Sequence, residues 1–190
     1  MLSLFSGLFF RRGDAFKLVV RMVGVKMGDR FVQVGCPNGA RLAAVATGVG
    51  LSGRAVAVVP DPAAAARAQK AASQAGVLVE VEQAQPTALP VEDSSFDVAV
   101  LDDTDGTLAA MSDDQRAASV RELFRVLRPG GRVMIIGASA QSGGVMTLIG
   151  RGRKTPSFDP GPALKADGFK LPRTLAERDG LVFVEAMKAK

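Results

Sequence analysis

The sequence lacks histidine, tryptophan and tyrosine, and it has a single cysteine, Cys36. Without histidine, the chain cannot build a Ser-His-Asp triad, a histidine-ligated metal site or an imidazole general base. One cysteine cannot form an intramolecular disulfide, which is typical of a reducing, cytoplasmic setting. Metal sites built on histidine are therefore excluded, we assign no metal ligand, and the candidate bases are carboxylates.

Strong charge of either sign is also missing. The chain has 24 Lys and Arg against 19 Asp and Glu, which gives a net charge of +5. The basic residues are scattered, and they are concentrated only at Arg11 and Arg12 and in residues 151–154. No aromatic platform or nucleic-acid motif accompanies them, so we expect no nucleic-acid partner.

The N-terminal segment, residues 1–14, is apolar first and basic second (MLSLFSGLFFRRGD). A secretory signal has the opposite order, and a membrane span needs about 20 apolar residues. Two interpretations remain: a flap that packs on the domain, or a shallow interfacial anchor with Arg11 and Arg12 at the headgroups. The second would add peripheral contact of residues 1–12 with the inner face of a membrane to a cytoplasmic location.

Residues 15–190 alternate short apolar runs with helical patterns, which predicts βαβ units, a mainly parallel sheet and a single domain. Strands are predicted at residues 31–36, 54–59, 77–83, 95–102 and 132–137. Helices are predicted within residues 15–30, at 39–50, 60–76 and 112–128, and around 162–167. An antiparallel hairpin is predicted for residues 169–178 and 181–189, which are joined by Asp-Gly.

Three segments carry a family resemblance: VQVGCPNG at 32–39, ALPVEDSSFDVAVLD at 88–102 and RELFRVLRPGGRVMIIG at 121–137. They resemble the class I S-adenosylmethionine (SAM) dependent methyltransferases, most closely the small-molecule branch that includes the ubiquinone and menaquinone biosynthesis enzymes. The resemblance implies SAM as cofactor and a Rossmann-like α/β fold. In that fold a seven-stranded, mainly parallel sheet carries helices on both faces and a C-terminal antiparallel hairpin.

A dinucleotide-binding protein is the weaker alternative. Its fingerprint requires glycine at positions 35, 37 and 40, and only Gly35 is present. The methyltransferase spacing requires glycine at 35, 37 and 39, and two of the three are present.

The resemblance places the first cofactor contacts in a loop after the first strand, formed by Gly35, Cys36, Pro37, Asn38 and Gly39. Gly35 permits a tight exit from the strand, Gly39 lets the helix start close to a ligand, and Asn38 tolerates a left-handed backbone. Pro37 departs from the family because it fixes φ and has no N–H.

Two further cofactor anchors also depart from the family pattern. The acidic residue that clasps the ribose at the end of the second strand is replaced by Val59, which is followed by Pro60 and Asp61. Asp61 could reach the ribose or cap the next helix. The pair at the adenine edge is Gln85 and Pro86, and Pro86 has no N–H to donate. We therefore expect SAM to bind weakly.

The candidate catalytic residues are Asp102 and Asp103, which follow the fourth strand with Asp105 nearby, and Asp102 is also assigned to the cofactor site. Carboxylates here can accept a proton or hold a hard divalent ion; the simpler alternative is a solvated loop that caps a helix. The expected function is methylation of a small, lipophilic acceptor. The alternative is a non-catalytic binding or scaffolding protein that kept the fold and lost most of its SAM affinity.

Overall fold

The computed structural model describes residues 16–139 and 159–190. They form one seven-stranded sheet with the order β3-β2-β1-β4-β5-β7-β6. The strands are β1 Arg30–Val34, β2 Arg54–Val59, β3 Glu80–Gln83, β4 Phe96–Asp103, β5 Leu127–Ala138, β6 Lys170–Arg178 and β7 Leu181–Met187. The helices in these ranges are α1 Lys17–Val23, α2 Gly39–Thr47, α3 Pro62–Ala75, α4 Thr107–Ala110, α5 Asp113–Val126 and α6 Gly161–Ala166.

The sheet is mainly parallel, as predicted. The four pairs that join β3, β2, β1, β4 and β5 are parallel, whereas β7 pairs antiparallel with both β5 and β6. Asp179 and Gly180 join β6 to β7 with φ angles of 55° and 76°. Positive φ at both central residues is the geometry that favours Asp-Gly in a two-residue hairpin turn.

Helices cover both faces of the sheet, and this confirms the predicted fold class. One apolar cluster contains residues of α1, α2 and α3, with Val19, Leu42 and Ala68 buried against the sheet. The other contains residues of α5 and α6, including Leu123 and Leu164. Strands buried on both sides in this way are rich in Val and Ala, which explains the nearly continuous apolar runs in the sequence.

Some predicted boundaries were wrong. The fourth predicted helix was expected to reach residue 128, but α5 ends at Val126 and Leu127 begins β5. The reason is Pro129, whose ring would clash with the carbonyl of residue 125 if the helix continued. The third strand starts at Glu80 instead of residue 77, and α4 was not predicted.

The N-terminal segment lies outside the described residues, as do residues 140–158. The interpretation of residues 1–14 as a flap or an anchor therefore stays a prediction. Among the helices of the described ranges, none has the length and apolar character needed to cross a membrane.

Candidate active site

A cleft lies where β1, β2 and β4 end, at the carboxyl edge of the parallel strands. Of the residues predicted to form the site, seven line this cleft: Gly35, Cys36, Pro60, Asp61, Pro86, Asp102 and Asp103. The other five, Pro37, Asn38, Gly39, Val59 and Gln85, do not belong to its lining. The edge is the place where α/β sheets of this kind bind ligands.

Gly35 makes the turn at the end of β1. Its φ is +80°, and a Cβ there would lie 3.0 Å from the carbonyl oxygen of Asp102. Its N–H donates to the Val58 carbonyl at 2.9 Å, which continues the ladder to β2. The close approach of β1 to β4 therefore requires glycine at this position, as predicted.

Asn38 has a role different from the predicted one. Its backbone is extended, with φ −134° and ψ 101°, and its side chain accepts a hydrogen bond from the Arg41 N–H at 3.1 Å. It is thus the N-cap of α2, a position that asparagine favours. The left-handed backbone that asparagine tolerates is not used at Asn38, and the positive φ of this loop is at Gly35.

Gly39 is needed for helix packing. A Cβ at Gly39 would lie 2.7 Å from the Arg67 carbonyl oxygen and 2.8 Å from the Ala71 Cβ, both on α3. These contacts are closer than van der Waals distance, so a side chain at Gly39 would push α2 and α3 apart. Packing between α2 and α3 thus explains the glycine at position 39 without any ligand.

Asp102 and Arg41 form a buried ion pair beside the cleft. The Arg41 Nη1 lies 3.3 Å from Asp102 Oδ1, which also accepts hydrogen bonds from the Thr104 N–H and hydroxyl. Asp102 Oδ2 is buried and has no hydrogen-bond partner among the described residues. Burial raises the pKa of Asp102 and outweighs the opposing effect of Arg41. The carboxylate thus has one oxygen available for a ligand that carries a positive charge or an N–H.

Asp103, the last residue of β4, is the second buried carboxyl group. Its Oδ1 accepts a hydrogen bond from the Leu108 N–H at 2.6 Å. Burial raises its pKa to about 6, and the neighbouring Asp105 and Asp102 act in the same direction. A carboxyl group whose pKa lies near neutrality suits a general base. Asp105 is exposed and caps the following turn through Thr107, as the simpler interpretation of this loop predicts.

The positions of the other two anchors explain their departures from the family pattern. Val59 is fully buried within the apolar cluster, and its hydrocarbon side chain has no polar group for a ribose. Asp61 lines the cleft, but its Oδ1 accepts a hydrogen bond from the Ala64 N–H at 2.8 Å and so caps α3. Pro86 is buried in the cleft wall, whereas Gln85 is exposed outside it.

The Cys36 thiol does not have the properties of a nucleophile. The residue is buried in the apolar cluster, and burial raises the pKa of its thiol even though Arg67 lies nearby. A neutral, desolvated thiol reacts slowly. Its contribution to the cleft is therefore its small apolar volume.

Sequence reasoning missed two arginines at this site. Arg41 lies in the first turn of α2, where a positive charge is unfavourable because the helix N-terminus is itself positive. Arg67 is in the alanine-rich α3, and its Nε donates to the Cys36 carbonyl oxygen at 2.7 Å. The sequence carried one signal for both arginines: each is a positive charge where none is expected, Arg41 at a helix N-terminus and Arg67 in an alanine-rich helix. Arg67 ties the Gly35–Asn38 loop to α3.

We predict that replacing Arg67 by methionine loosens this loop and weakens the binding of S-adenosylhomocysteine by about two- to tenfold. This is the range expected for one lost hydrogen bond of about 0.5–1.5 kcal/mol. Calorimetric titration measures the affinity, and hydrogen exchange of residues 35–38 measures the loosening. Lys70→Met on the same helix is the control, because Lys70 does not line the cleft. Equal affinities for both variants would contradict the predicted role.

Comparison with known proteins agrees with this geometry. A family model for a methyltransferase domain matches residues 31–131, just over half of the chain. Over 108 residues the chain is 33% identical to an uncharacterized 37.1 kDa protein in transposon TN4556 of Streptomyces fradiae. That match covers 57% of this chain and 30% of the Streptomyces protein, so the chain spans about a third of that relative's length.

Solved structures share the fold at low sequence identity. A SAM-dependent methyltransferase from Aquifex aeolicus is 20% identical with a TM-score of 0.74, and the match covers 91% of this chain and 89% of that one. The methyltransferase SibL is 18% identical with a TM-score of 0.69, over 97% of this chain and 57% of SibL. The cyclase SpnF is 17% identical with a TM-score of 0.64, over 90% of this chain and 78% of SpnF.

These solved structures show the fold alone, and the family model shows the family. Its match begins at β1 and ends at Gly131, so it includes the Gly35–Gly39 loop and the carboxylates at the end of β4. The resemblance inferred from the sequence is thereby confirmed, and SAM is the cofactor that the family implies. The chain belongs to the methyltransferase-domain family and has the class I, Rossmann-like fold of SAM-dependent methyltransferases.

Proposed function

We propose that this chain is a SAM-dependent methyltransferase that binds SAM weakly and acts on a small, lipophilic acceptor. The observation that carries the proposal is the pair of buried carboxyl groups, Asp102 and Asp103, at the carboxyl edge of the sheet in a member of this family. Perturbed carboxyl groups in a cleft are candidates for functional groups.

The residues of the cleft fit the amino-acid end of SAM. The unpartnered Oδ2 of Asp102 suits an ammonium group, because a buried carboxylate oxygen without a donor is unfavourable until such a group arrives. The Gly35 turn keeps side chains out of the gap between β1 and β4. These residues would hold the methionyl part of the cofactor.

The nucleoside end fits less well, and this supports weak binding. Val59 and Pro86 cannot supply the carboxylate and the N–H that the family uses there. The cavity in the cleft has a volume of about 50 Å³, whereas ligand pockets usually have about 300–1,000 Å³. Binding a ligand as large as SAM therefore requires the cleft walls to separate, which lowers the affinity.

Asp103 is the proposed proton acceptor. Bound SAM supplies a methyl group on a sulfonium, and an acceptor O–H or N–H must release its proton when it takes that methyl. With a pKa of about 6, Asp103 is ionised at pH 7 and above, so it can take this proton. Leu108 and Met111, which line the same cleft, provide the apolar surface for the acceptor. Burial excludes water from the reacting groups.

A non-catalytic binding or scaffolding protein is the second candidate. Two observations favour it: the nucleoside anchors are lost, whereas the packing residues Gly39 and Gly35 are kept for reasons internal to the fold. The fold neighbour SpnF, which is named as a cyclase, supports the view that this fold does not by itself imply methyl transfer.

Calorimetric titration with SAM and S-adenosylhomocysteine tests the proposal. We expect dissociation constants of tens of micromolar or weaker, because two or three missing hydrogen bonds weaken binding by roughly ten- to several-hundred-fold. Pro86→Ala returns an N–H to the cleft wall, so it should tighten binding by about two- to tenfold. Pro172→Ala on β6, away from the cleft, is the matched control. No detectable heat with either ligand would favour the scaffolding protein, and submicromolar binding would show that the nucleoside end is intact.

A further inference from the structure

A second, larger concavity lies at the opposite edge of the sheet, where β2 and β3 begin. It is a groove of about 530 Å³ between the C-terminal ends of α2 and α3, and its floor is the start of both strands. We call it the basal groove, and its lining residues lie within the ranges 46–55 and 75–80. The position is remote from the carboxyl edge, so the groove is not part of the cofactor cleft.

The basal groove is apolar and its charges are neutralised. Most of its lining is Ala, Val, Leu and Gly. Its only charged members among the described residues are Arg54 and Glu80, and they pair with each other through an Nη2–Oε2 contact of 2.6 Å. No charged side chain of the lining is therefore left to attract an ionic ligand, and the groove suits apolar side chains.

Exposed apolar side chains surround the same groove. Leu51 is 91% exposed and Leu78 is 81% exposed, and both line it. Met27, 81% exposed, stands at the rim, because a Cβ on Gly50 would lie 3.2 Å from Met27 Cγ. Of the five large apolar side chains that are exposed in the described ranges, these three are at one place. Such a patch is typical of a surface that binds another segment of protein.

We propose that the basal groove binds the apolar N-terminal segment of the same chain, residues 1–10. Seven of these ten residues are Met, Leu or Phe, which is the composition that the groove can bury. The segment lies outside the described residues, and the groove, at about 530 Å³, is larger than the cofactor cleft of about 50 Å³.

The chain connectivity allows this contact. The segment is joined to α1, a helix of seven residues that is about 10 Å long. The link from α1 to β1 reaches the rim of the groove, where Met27 lies against the lining residue Gly50. The five residues 11–15, which separate the segment from Phe16, can extend about 17 Å, which exceeds the length of α1.

Charge is also complementary. The segment is followed by Arg11 and Arg12. Both α2 and α3 end at the basal groove, so the negative ends of two helix dipoles lie there and would attract basic residues next to a bound segment. A cation near a helix C-terminus is favourable, whereas a bare apolar segment in water is not.

Hydrogen exchange on the full chain tests the proposal. Phe5→Asp/Phe9→Asp changes the segment, and Leu51→Asp/Leu78→Asp changes the groove. We expect either double variant to raise exchange in residues 46–55 and 75–80 at least about threefold, because the covering segment is released. The quadruple variant should exchange no faster than the double variants, since both remove one contact. Leu171→Asp on β6, 75% exposed and outside the groove, is the control and should change nothing.

Other occupants give different results, and each would overturn the proposal. If the segment binds membranes, the Phe5/Phe9 variant loses binding to phosphatidylserine vesicles while groove exchange stays unchanged. If the groove binds a second copy, protection falls on dilution and sedimentation shows a dimer that both double variants dissociate. Additive effects in the quadruple variant would show that segment and groove do not touch.

Discussion

Replacing Asp102 by alanine is expected to destabilise the protein by about 3–5 kcal/mol, because it leaves the buried guanidinium of Arg41 without its partner. Both members of the pair are desolvated, because the Arg41 side chain is 10% exposed and the Asp102 side chain is fully buried. A cation in such a place cannot recover its hydration. Urea unfolding at pH 7 measures the loss as a lower midpoint.

The chain provides a matched control for this prediction. Arg54 and Glu80 form a closer pair, but their side chains are 34% and 52% exposed. Glu80→Ala should therefore cost less than about 1 kcal/mol. A double variant, Arg41→Met/Asp102→Leu, should recover most of the stability lost in Asp102→Ala, since buried ion pairs can be replaced by apolar side chains. If Asp102→Ala costs no more than Glu80→Ala, water reaches the Arg41 guanidinium and the buried pair has no special energetic weight.

The fold was predictable because its signals are local and repeated. Apolar runs separated by helical patterns indicated the parallel sheet, and the Asp179–Gly180 turn indicated the closing hairpin. The helix predicted from residue 112 begins with a capping box, Ser112 and Gln115, and the structure shows both of its hydrogen bonds. Each of these features depends on residues within one turn or one strand, so a single sequence contains the whole signal.

The site was less predictable because its contacts join distant parts of the chain. The motif positions identified seven of the cleft residues, yet Arg41–Asp102 spans 61 residues and Arg67–Cys36 spans 31. Nothing in the local pattern around either arginine indicates its partner. Gly39 shows the same limit, since the residues that require it, Arg67 and Ala71, are on another helix. Long-range packing determined these roles.

Asp103 is the second residue whose substitution should change the free energy of unfolding strongly. Here we expect an increase, whereas replacing Asp102 causes a decrease. Its pKa rises from 3.8 to about 6 on folding, because burial disfavours the charged form. Below about pH 3.8 the carboxyl is protonated in both the folded and unfolded states. Between 3.8 and 6 the folded state keeps a proton that the unfolded state has lost, so the free energy of unfolding falls as the pH rises.

Above pH 6 this loss is complete, and it corresponds to about 3 kcal/mol for the full difference in pKa. Asp103→Asn cannot ionise, and its side-chain oxygen can still accept the Leu108 N–H. We therefore expect the asparagine variant to be more stable than the parent protein by about 1–3 kcal/mol at pH 7–8, with the gain disappearing below about pH 4. Urea unfolding of both proteins at intervals between pH 3.5 and 8 measures the difference.

The Asp103 carboxyl lowers stability at neutral pH, and it lines the cleft together with Asp102, Leu108 and Met111. Functional groups in active sites often lower stability. Because Asp103 is the proposed proton acceptor, Asp103→Asn should also abolish proton acceptance and reduce methyl transfer about 10²–10⁴-fold. Asp114→Asn is the control, because Asp114 is exposed on α5 and does not line the cleft. A stability gain in Asp103→Asn that persists unchanged at pH 4 would show that packing, and not the buried charge, is responsible. Asp103→Asn could instead gain stability, still bind SAM and S-adenosylhomocysteine, and lose no transfer activity. That result would show that Asp103 takes no part in the reaction and only accepts the Leu108 N–H.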